Sequence, residues 1–295
     1  MRRRIAVLSL LTVIVVSTIV FFSPLIKSES KVKVDWVKEL PEAAYLAVKA
    51  LNESSSIAYD SLWVEVNETE ASMSSSTALE ALDKLEMVKL AANTLSGSIK
   101  ERILGQVNTY RRVASASINA SLAGETLNRV RPKLREALDL LIAGEVGEAL
   151  SVWREVRGDV LTARERVGDA LNDLMGADEF ISESHRQSVG QAEEKLQALA
   201  EELDQIISLF QIAEKHGGKL EKALKSFLNG EPMPQGLEDL VKDASRLDAK
   251  RAGRYAYYIQ TVKDALNREL RSKGSGNQEC SGKGGGAGRK ERRND

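Results

Sequence analysis

Residues 189–213, VGQAEEKLQALAEELDQIISLFQIA, decide the fold class of this chain. Apolar residues recur in this stretch at alternating spacings of three and four, which is the heptad pattern of a helix that packs against other helices. The seam continues beyond the Gly-Gly pair at 217–218 through Leu220, Leu224 and Phe227. Neighbouring positions hold further apolar residues, so the apolar face is broad enough to indicate a multi-helix bundle.

Composition extends this interpretation to residues 36–272. Aromatic residues make up 5% of the 295 residues and there are 5 prolines, whereas Ala, Leu, Glu, Lys and Arg dominate. This mixture is typical of long helices. The fold class is therefore predicted as all-α, an elongated antiparallel helical bundle or coiled coil of about five long helices.

Boundary signals divide the first part of the bundle. The first helix is predicted from Trp36 to Glu70, and the Ser-rich stretch 72–76 is predicted as a turn. Thr77, followed three residues later by Glu80, has the form of a capping box, in which each side chain satisfies a backbone donor at a helix start. The second helix is therefore predicted from Thr77 to Ala120.

Glycine and proline mark the boundaries in the middle of the bundle. Gly124 and Pro132 are expected to interrupt the helical pattern. The stretch 144–147, Gly-Glu-Val-Gly, is either the turn of a helical hairpin or a kink. Residues 137–153 around it resemble the inner turn of one tetratricopeptide repeat, but the sequence has no second copy at the 34-residue period of such arrays. Gly176 is expected to follow the end of a helix.

The carboxyl-terminal part of the bundle begins with a loop. Residues 229–236 contain two prolines, which cannot continue a helix interior. A last helix is predicted from Leu237 to Leu270, with a change of apolar spacing between Leu247 and Tyr255.

An apolar segment precedes the bundle. Residues 5–26 contain no ionisable side chain and follow three consecutive arginines. At about 1.5 Å per residue the segment spans roughly 33 Å, enough to cross a hydrocarbon core of about 30 Å. It is too long for a typical signal peptide, and the nearest small-x-small sequence, 28–30, contains a charge. An uncleaved transmembrane signal-anchor in contact with membrane lipid is therefore preferred over a cleaved signal peptide.

Flanking charge orients this segment. The arginines and the α-amino group lie before it, and Lys27, Lys31 and Lys33 lie after it. Because positive charge tends to stay in the cytoplasm, the small difference favours a single-pass protein of the cell membrane with its bulk outside the cytoplasm. Secretion after cleavage, or a bulk that faces the cytoplasm, are the alternatives. The predicted organisation is a cytoplasmic terminus (1–4), the anchor (5–26), a linker (27–35), the bundle (36–272) and a disordered Gly-rich basic tail (273–295).

Three Asn-x-Ser/Thr sequences suit an extracytoplasmic location. Asn52, Asn67 and Asn119 each begin such a sequence and are possible glycosylation sites.

The sequence contains no recognisable motif for catalysis, a cofactor or a metal. The two histidines, His185 and His216, lie in no metal-binding spacing, and His185 is predicted to bond to a neighbouring helix from the heptad seam. Cys280 is the single cysteine, so it cannot form a disulfide within the chain. The net charge of −1 gives no reason to expect nucleic acid as a partner. We therefore expect no catalysis, no metal and no cofactor.

One local concentration of aromatic and basic residues is a candidate interaction patch, because Tyr and Arg are enriched at interfaces. It consists of Arg251, Arg254, Tyr255, Tyr257 and Tyr258. The alternative is two core tyrosines and one ring on the surface.

These observations favour a membrane-anchored coiled-coil protein that acts as a spacer, scaffold or assembly partner through its helix faces. Its partner is another protein or a second copy of the chain. The alternative function is a ligand-sensing helical bundle that signals through a partner protein, because helical bundles can hold small molecules between helices. An enzyme whose carboxylates converge only in the folded chain is a third possibility.

Overall fold

The computed structural model describes residues 35–177 and 180–275. Every regular element in these residues is a helix, so the all-α prediction is confirmed. The α-helices are α1 (Trp36–Ser61), α2 (Glu68–Ala92), α3 (Gly97–Ile142), α4 (Val146–Met175), α5 (Glu183–Asn229), α6 (Glu238–Ala244) and α7 (Ala256–Ser275). A short 3-10 helix, Gly253–Tyr255, immediately precedes α7.

Contacts between side chains show that α2 runs antiparallel to α1. The hydroxyl of Ser74 donates to the carbonyl of Ala50 at 2.9 Å, in the middle of α1. Further along α2, Lys84 Nζ lies 3.3 Å from Glu39 Oε2, near the amino end of α1. As α2 proceeds, its contacts therefore move back along α1.

The later long helices alternate in the same way. Arg129 on α3 pairs with Asp159 on α4 at 3.2 Å, and Arg164 on α4 pairs with Asp204 on α5 at 2.7 Å. Lys195 on α5 donates to Ser56 on α1 at 2.8 Å. Lys133 pairs with Glu155, and Arg157 pairs with Glu214, so partners move backwards between α3 and α4 and between α4 and α5. Ser54 and Ala58 of α1 meet Ser117 and Gly124 of α3 in the same order. The first, third and fifth helices therefore share one direction, and α2 and α4 run in the other.

The core changes character along the bundle. Between α1 and α3 it is built from small residues, and the hydroxyl of Ser54 donates to that of Ser117 at 3.2 Å. Between α4 and α5 it is built from large ones, with the rings of Trp153 and Phe210 stacked 4.3 Å apart. Small residues allow two helix backbones to approach closely. The buried alanines of α1 and α3 are Ala43, Ala44, Ala47, Ala50, Ala58, Ala114, Ala116, Ala120, Ala123 and Ala137.

The predicted first boundary is wrong. Helix α1 ends at Ser61 rather than Glu70, and residues 72–76, predicted as a turn, lie inside α2. Asn67 is the N-cap, and its side chain accepts a hydrogen bond from the Thr69 amide at 3.0 Å. Buried Ser74 lets α2 approach α1 closely, so serine is here a packing residue rather than a turn residue.

The predicted second helix is also wrong, because it spans a real boundary. Thr77 is not an N-cap: its hydroxyl donates to the carbonyl of Met73 one turn earlier at 2.9 Å. The chain leaves α2 after Ala92 and enters α3 at Gly97, whose φ of +69° is a conformation that favours glycine.

Two predicted interruptions do not occur, since Gly124 and Pro132 both lie inside the 46-residue helix α3. Gly124 faces α1 at short range, which explains a glycine in a helix interior. The hairpin alternative for 144–147 is confirmed: α3 ends at Ile142, α4 begins at Val146, and Gly144 between them has φ +81°.

The single last helix predicted from Leu237 to Leu270 is wrong. Residues 245–252 separate α6 from the 3-10 helix and form turns, and the amide of Asp248 donates to Gln205 Oε1 at 2.8 Å. The change of apolar spacing in this region marks a break rather than a change of supercoil. Helix α7 then extends to Ser275, three residues into the predicted tail.

No helix within residues 35–177 and 180–275 is both long enough and apolar enough to cross a membrane. The predicted anchor at 5–26, the predicted cytoplasmic residues 1–4 and the linker residues 27–34 lie outside the described residues, as do residues 276–295 with Cys280.

Candidate interaction surface

Helix α2 exposes large apolar side chains on the side that faces away from the bundle. Met73, Leu79, Met87 and Leu90 are 64%, 53%, 42% and 63% exposed. The opposite side of α2 is buried, and its residues include Ala78, Ala81, Leu85, Val88 and Ala92. Isolated apolar residues on a surface are normal. Four on a helix of 25 residues are a concentration, because α5, with 47 residues, exposes only Leu228 among its large apolar residues.

The four side chains lie along one side of α2. Leu79, Met87 and Leu90 are connected through Asp83 by steps of four, four and three residues, and Met73 reaches Met87 through Glu80 by two steps of seven. Residues at these spacings share one side of a helix. We call these six residues the outward stripe: Met73, Leu79, Glu80, Asp83, Met87 and Leu90.

The outward stripe carries negative charge. Glu80 and Asp83 are exposed, and neither forms an ion pair with any other residue that the structure describes. Glu86, beside the stripe, is instead balanced by Lys89 at 3.1 Å and by Arg111 of α3 at 3.8 Å. A surface that interleaves apolar side chains with unpaired carboxylates can bind a complementary surface of apolar and basic side chains.

Sequence reasoning missed this surface because it divided α2 at residues 72–76. The signal that could have found it is the arrangement of side-chain size. Alanines recur at helical spacing in Ala71, Ala78, Ala81 and Ala92, and the large residues fall between them. An alanine-rich packed side with several large apolar residues left outside departs from the usual pattern of an amphipathic helix.

The five residues of the predicted aromatic and basic patch do not share one exposed surface. Tyr255 is buried, and its hydroxyl donates to the carbonyl of Leu62 at 2.9 Å. Tyr258 donates to Asp139 at 2.8 Å, and burial together with that carboxylate raises the pKa of Tyr258 to about 12. Tyr257 is 66% exposed. Two of the three tyrosines are therefore core residues, and the ring of Tyr257 lies on the surface.

The two arginines of that patch also have different surroundings. Arg254 lies over the ring of Tyr59, 3.9 Å from its centroid, and pairs with Asp60 at 3.1 Å. Arg251 is exposed, 3.8 Å from Asp248. Arg254 therefore joins the carboxyl-terminal segment to the end of α1, whereas Arg251 and Tyr257 remain on the surface.

The predicted glycosylation residues lie in three different settings. Asn67 is exposed and caps α2. Asn52 lies within α1, where its carbonyl accepts a hydrogen bond from Ser56 at 2.8 Å. The side chain of Asn119 is engaged between α3 and α4, because its Oδ1 accepts from Arg166 at 3.2 Å. Asn67 is the most accessible acceptor of the three.

A polar groove lies between α1 and the first turns of α5. It has a cavity volume of about 410 Å³, and its lining includes Lys49, Asn52, Ser184 and Ser188. His185 lies in the same lining, and its Nδ1 is 3.0 Å from the hydroxyl of Tyr110 on α3. The prediction that His185 bonds to a neighbouring helix is thereby confirmed. Burial lowers the pKa of His185.

The other histidine is engaged by a carboxylate. His216 Nε2 lies 2.8 Å from Asp243 Oδ2, which joins α5 to α6. Among residues 35–177 and 180–275, no three His, Cys, Asp or Glu side chains converge as a metal site would require. In comparisons with known proteins, no protein family, curated protein or solved structure matches the chain.

Proposed function

We propose that this chain is a membrane-anchored scaffold or assembly partner that acts through its helix faces rather than by catalysis. In this proposal residues 5–26 tether the helical bundle to the membrane, and most of the protein lies outside the cytoplasm. The observation that carries the proposal is the outward stripe of α2, whose apolar side chains have no partner among the described residues.

The charge of the outward stripe points to the chemistry of the partner. An amphipathic helix whose apolar residues alternate with Lys or Arg would cover the four apolar side chains and neutralise Glu80 and Asp83. A membrane surface fits less well, because anionic lipid would repel these carboxylates. A second copy of the chain also fits less well, since its stripe would place like charges against each other. The proposed partner is therefore a different protein with a basic amphipathic helix.

The interior of the bundle supports a non-enzymatic role. Among the described residues Glu202 is the single buried carboxylate, and the other buried hydrogen-bonding side chains are neutral, chiefly Ser, Thr and Tyr. An enzyme that uses converging carboxylates would need several of them at one pocket. The polar groove beside His185 is instead an open groove between helices.

Crosslinking of the full-length chain in its own membrane tests the proposal. A photoreactive amino acid is placed at Leu79 or at Leu90, and at Leu161 on α4 as an exposed apolar control. We expect adducts at both α2 positions with a segment that alternates apolar and basic residues, as identified by mass spectrometry of the crosslinked peptide. Adducts that contain lipid, adducts with the chain itself, or equal labelling at Leu161 would contradict the proposal.

Charge reversal provides the matched variant. Glu80→Lys combined with Asp83→Lys should reduce the α2 adducts at least tenfold, if the two charge contacts together contribute about 1.4 kcal/mol or more. Glu165→Lys combined with Asp169→Lys changes net charge equally on the exposed side of α4 and should leave the adducts unchanged. Equal losses in both variants would show that overall charge, rather than the outward stripe, governs the contact.

Ligand sensing through a partner protein is the second candidate function, and the polar groove beside His185 favours it. Its volume lies within the range of about 300–1,000 Å³ that small-molecule sites occupy. A small anion that raises the melting temperature of the chain, with the shift lost in Lys49→Gln, would favour this function. Lys225→Gln is the control, because Lys225 and Lys49 each pair with a glutamate four residues away on an exposed helix surface.

A further inference from the structure

Glu202 on α5 is a carboxylate inside the bundle. Glu202 is only 1% exposed, and its Oε1 accepts a hydrogen bond from the backbone amide of Arg254 at 3.2 Å. No basic side chain in the described part of the chain forms an ion pair with it. The guanidinium of Arg254 acts on it only from a distance, since that group is bound to Asp60 at 3.1 Å.

The other oxygen of Glu202 faces an unsatisfied donor. Both Glu202 Oε2 and Trp63 Nε1 are buried without a hydrogen-bond partner among the described residues. The indole N–H is close enough to lower the pKa of the carboxyl group, but its geometry falls short of a hydrogen bond. An ionised carboxylate at this position is consequently under-stabilised, because burial without full pairing penalises charge.

The carboxyl group supports the segment that leads into α7. Gly253 has φ +51°, and a Cβ added there would lie 2.7 Å from Glu202 Cδ. Tyr255, two residues later, packs on Trp63 with ring centroids 4.3 Å apart. The 3-10 helix therefore rests directly on Glu202, and α7 continues from it without a break.

Several titratable or charged groups surround this junction. On the α7 side Arg254, Tyr255 and Tyr258 face inward, and Tyr258 is paired with Asp139. From α3, Arg135 lies over the Trp63 ring, 5.7 Å from its centroid. The other titratable or charged residues around the junction are Tyr59, Asp60 and Arg131. None of the positive charges neutralises Glu202 by direct contact, so its proton is the remaining means of removing the charge.

We propose that Glu202 is a pH-sensitive latch that holds the 3-10 helix and α7 on the bundle when it is protonated and weakens their attachment when it is ionised. In the attached state the neutral carboxyl accepts the Arg254 amide without the cost of a buried charge. When the segment detaches, Glu202 is exposed to water and releases its proton.

The direction of the pH dependence follows from linkage. Burial raises the pKa of Glu202 above its ordinary value of 4.5, with smaller opposing effects from Arg254 and Trp63. The attached state therefore retains a proton that the detached state loses. The attachment is strongest at a pH below the ordinary pKa of the carboxyl group. It weakens as the pH rises from there to the raised pKa of the attached state, and it is constant at higher pH. One proton changes the attachment equilibrium by at most tenfold per pH unit.

Hydrogen exchange of the full-length chain tests the latch. Peptides that cover residues 253–267 are followed by mass spectrometry as a function of pH, with rates corrected for intrinsic exchange. In the wild type we expect the protection of this segment to fall by up to tenfold per pH unit as the pH rises from the ordinary pKa of Glu202 to its raised pKa. The comparison is with peptides that contain Trp153 or Phe210. In Glu202→Gln, which keeps an acceptor but cannot ionise, we expect no such dependence.

Two further variants make the result decisive. Glu201→Gln removes the same charge from the neighbouring position of α5 and should behave as the wild type, because Glu201 is not buried. Glu202→Met removes both the charge and the polar atoms and should be independent of pH even if the Gln variant folds poorly. Protection in the wild type that does not change with pH overturns the proposal. So does wild-type pH dependence that persists in both Glu202 variants.

Discussion

Gly124 of α3 lies directly against Ala58 of α1. A Cβ added to Gly124 would be 3.1 Å from the Cα of Ala58 and 3.3 Å from its backbone nitrogen. Both atoms belong to the backbone of a packed helix, so they cannot move aside as the end of a flexible side chain would. The distance between α1 and α3 at this point therefore depends on the absence of a side chain at position 124.

Substitution of Gly124 by alanine tests this contact. Alanine is favoured over glycine in a helix interior by about 1 kcal/mol. Overpacking of a tight interior typically costs about 1–3 kcal/mol. Because the neighbour is backbone, we expect the overpacking cost to exceed the helix preference, so that Gly124→Ala lowers the free energy of unfolding in urea.

Gly158 on α4 provides the matched control. A Cβ there would meet no atom within 4 Å, so Gly158→Ala should gain the full helix preference of about 1 kcal/mol. The two substitutions are chemically identical and both lie inside long helices, yet they should shift stability in opposite directions. Equal stabilisation by both would show that α1 and α3 are not in close contact at Gly124.

The stacked rings of Trp153 and Phe210 predict a large effect in the other part of the core. Trp153 is buried between α4 and α5, and the two rings are inclined by only 4°. Trp153→Ala should lower the free energy of unfolding by about 3–5 kcal/mol, the range for removal of a large aromatic side chain from a core. Leu161→Ala, on the exposed side of α4, should change it by less than about 0.5 kcal/mol.

Much of the fold could be predicted from periodicity alone. The seam at 189–213 became α5, because a long apolar stripe at helical spacing has few alternative structures. The boundaries at residues 67 and 97 do carry local signals, the Asn67 N-cap and Gly97, but the Ser-rich stretch 72–76 is a competing turn signal that tertiary packing overrides. Ser74 is helical because its hydroxyl reaches the carbonyl of Ala50, and nothing in the local sequence contains that information.

The environments of the candidate site residues also depend on the tertiary fold. The sequence allows Tyr255 and Tyr258 to be either part of an interaction patch or core residues, and the fold shows that both are buried in the bundle. Glu202 looked like any other charged residue of the heptad pattern. It is buried because the 3-10 helix, more than 50 residues later in the sequence, returns to cover it. Contacts of this separation leave no signal in local spacing.

Gly253→Ala should destabilise the attachment of α7 for two separate reasons. A residue with a side chain at φ +51° incurs strain of about 1 kcal/mol, and its Cβ would collide with the carboxyl group of Glu202. We expect a loss of unfolding free energy well above 1 kcal/mol, together with lower hydrogen-exchange protection of residues 253–267.

Gly230, the residue that follows α5, separates these two costs. It has φ +69° but a Cβ there would meet nothing within 4 Å, so Gly230→Ala should incur the strain of about 1 kcal/mol alone. The difference between the two variants then measures the collision with Glu202. If they destabilise the protein equally, Glu202 does not support the 3-10 helix.

Asp243 should make the attachment of α6 sensitive to acid. Its Oδ2 accepts hydrogen bonds from His216 at 2.8 Å and from Lys215 at 2.7 Å, and these two groups lower the pKa of Asp243 from 3.8 to about 2. A carboxyl group whose pKa is lowered by folding stabilises the folded state above its ordinary pKa. That contribution is lost as pH falls from 3.8 through about 2.

In Asp243→Asn the melting temperature should be lower than in the wild type above about pH 4, and the two melting temperatures should converge near pH 2. Asp169→Asn, which removes an exposed carboxylate without a partner in the described residues, should follow the wild type throughout. Parallel curves for the wild type and Asp243→Asn would show that Lys215 and His216 do not hold α6 through this carboxylate.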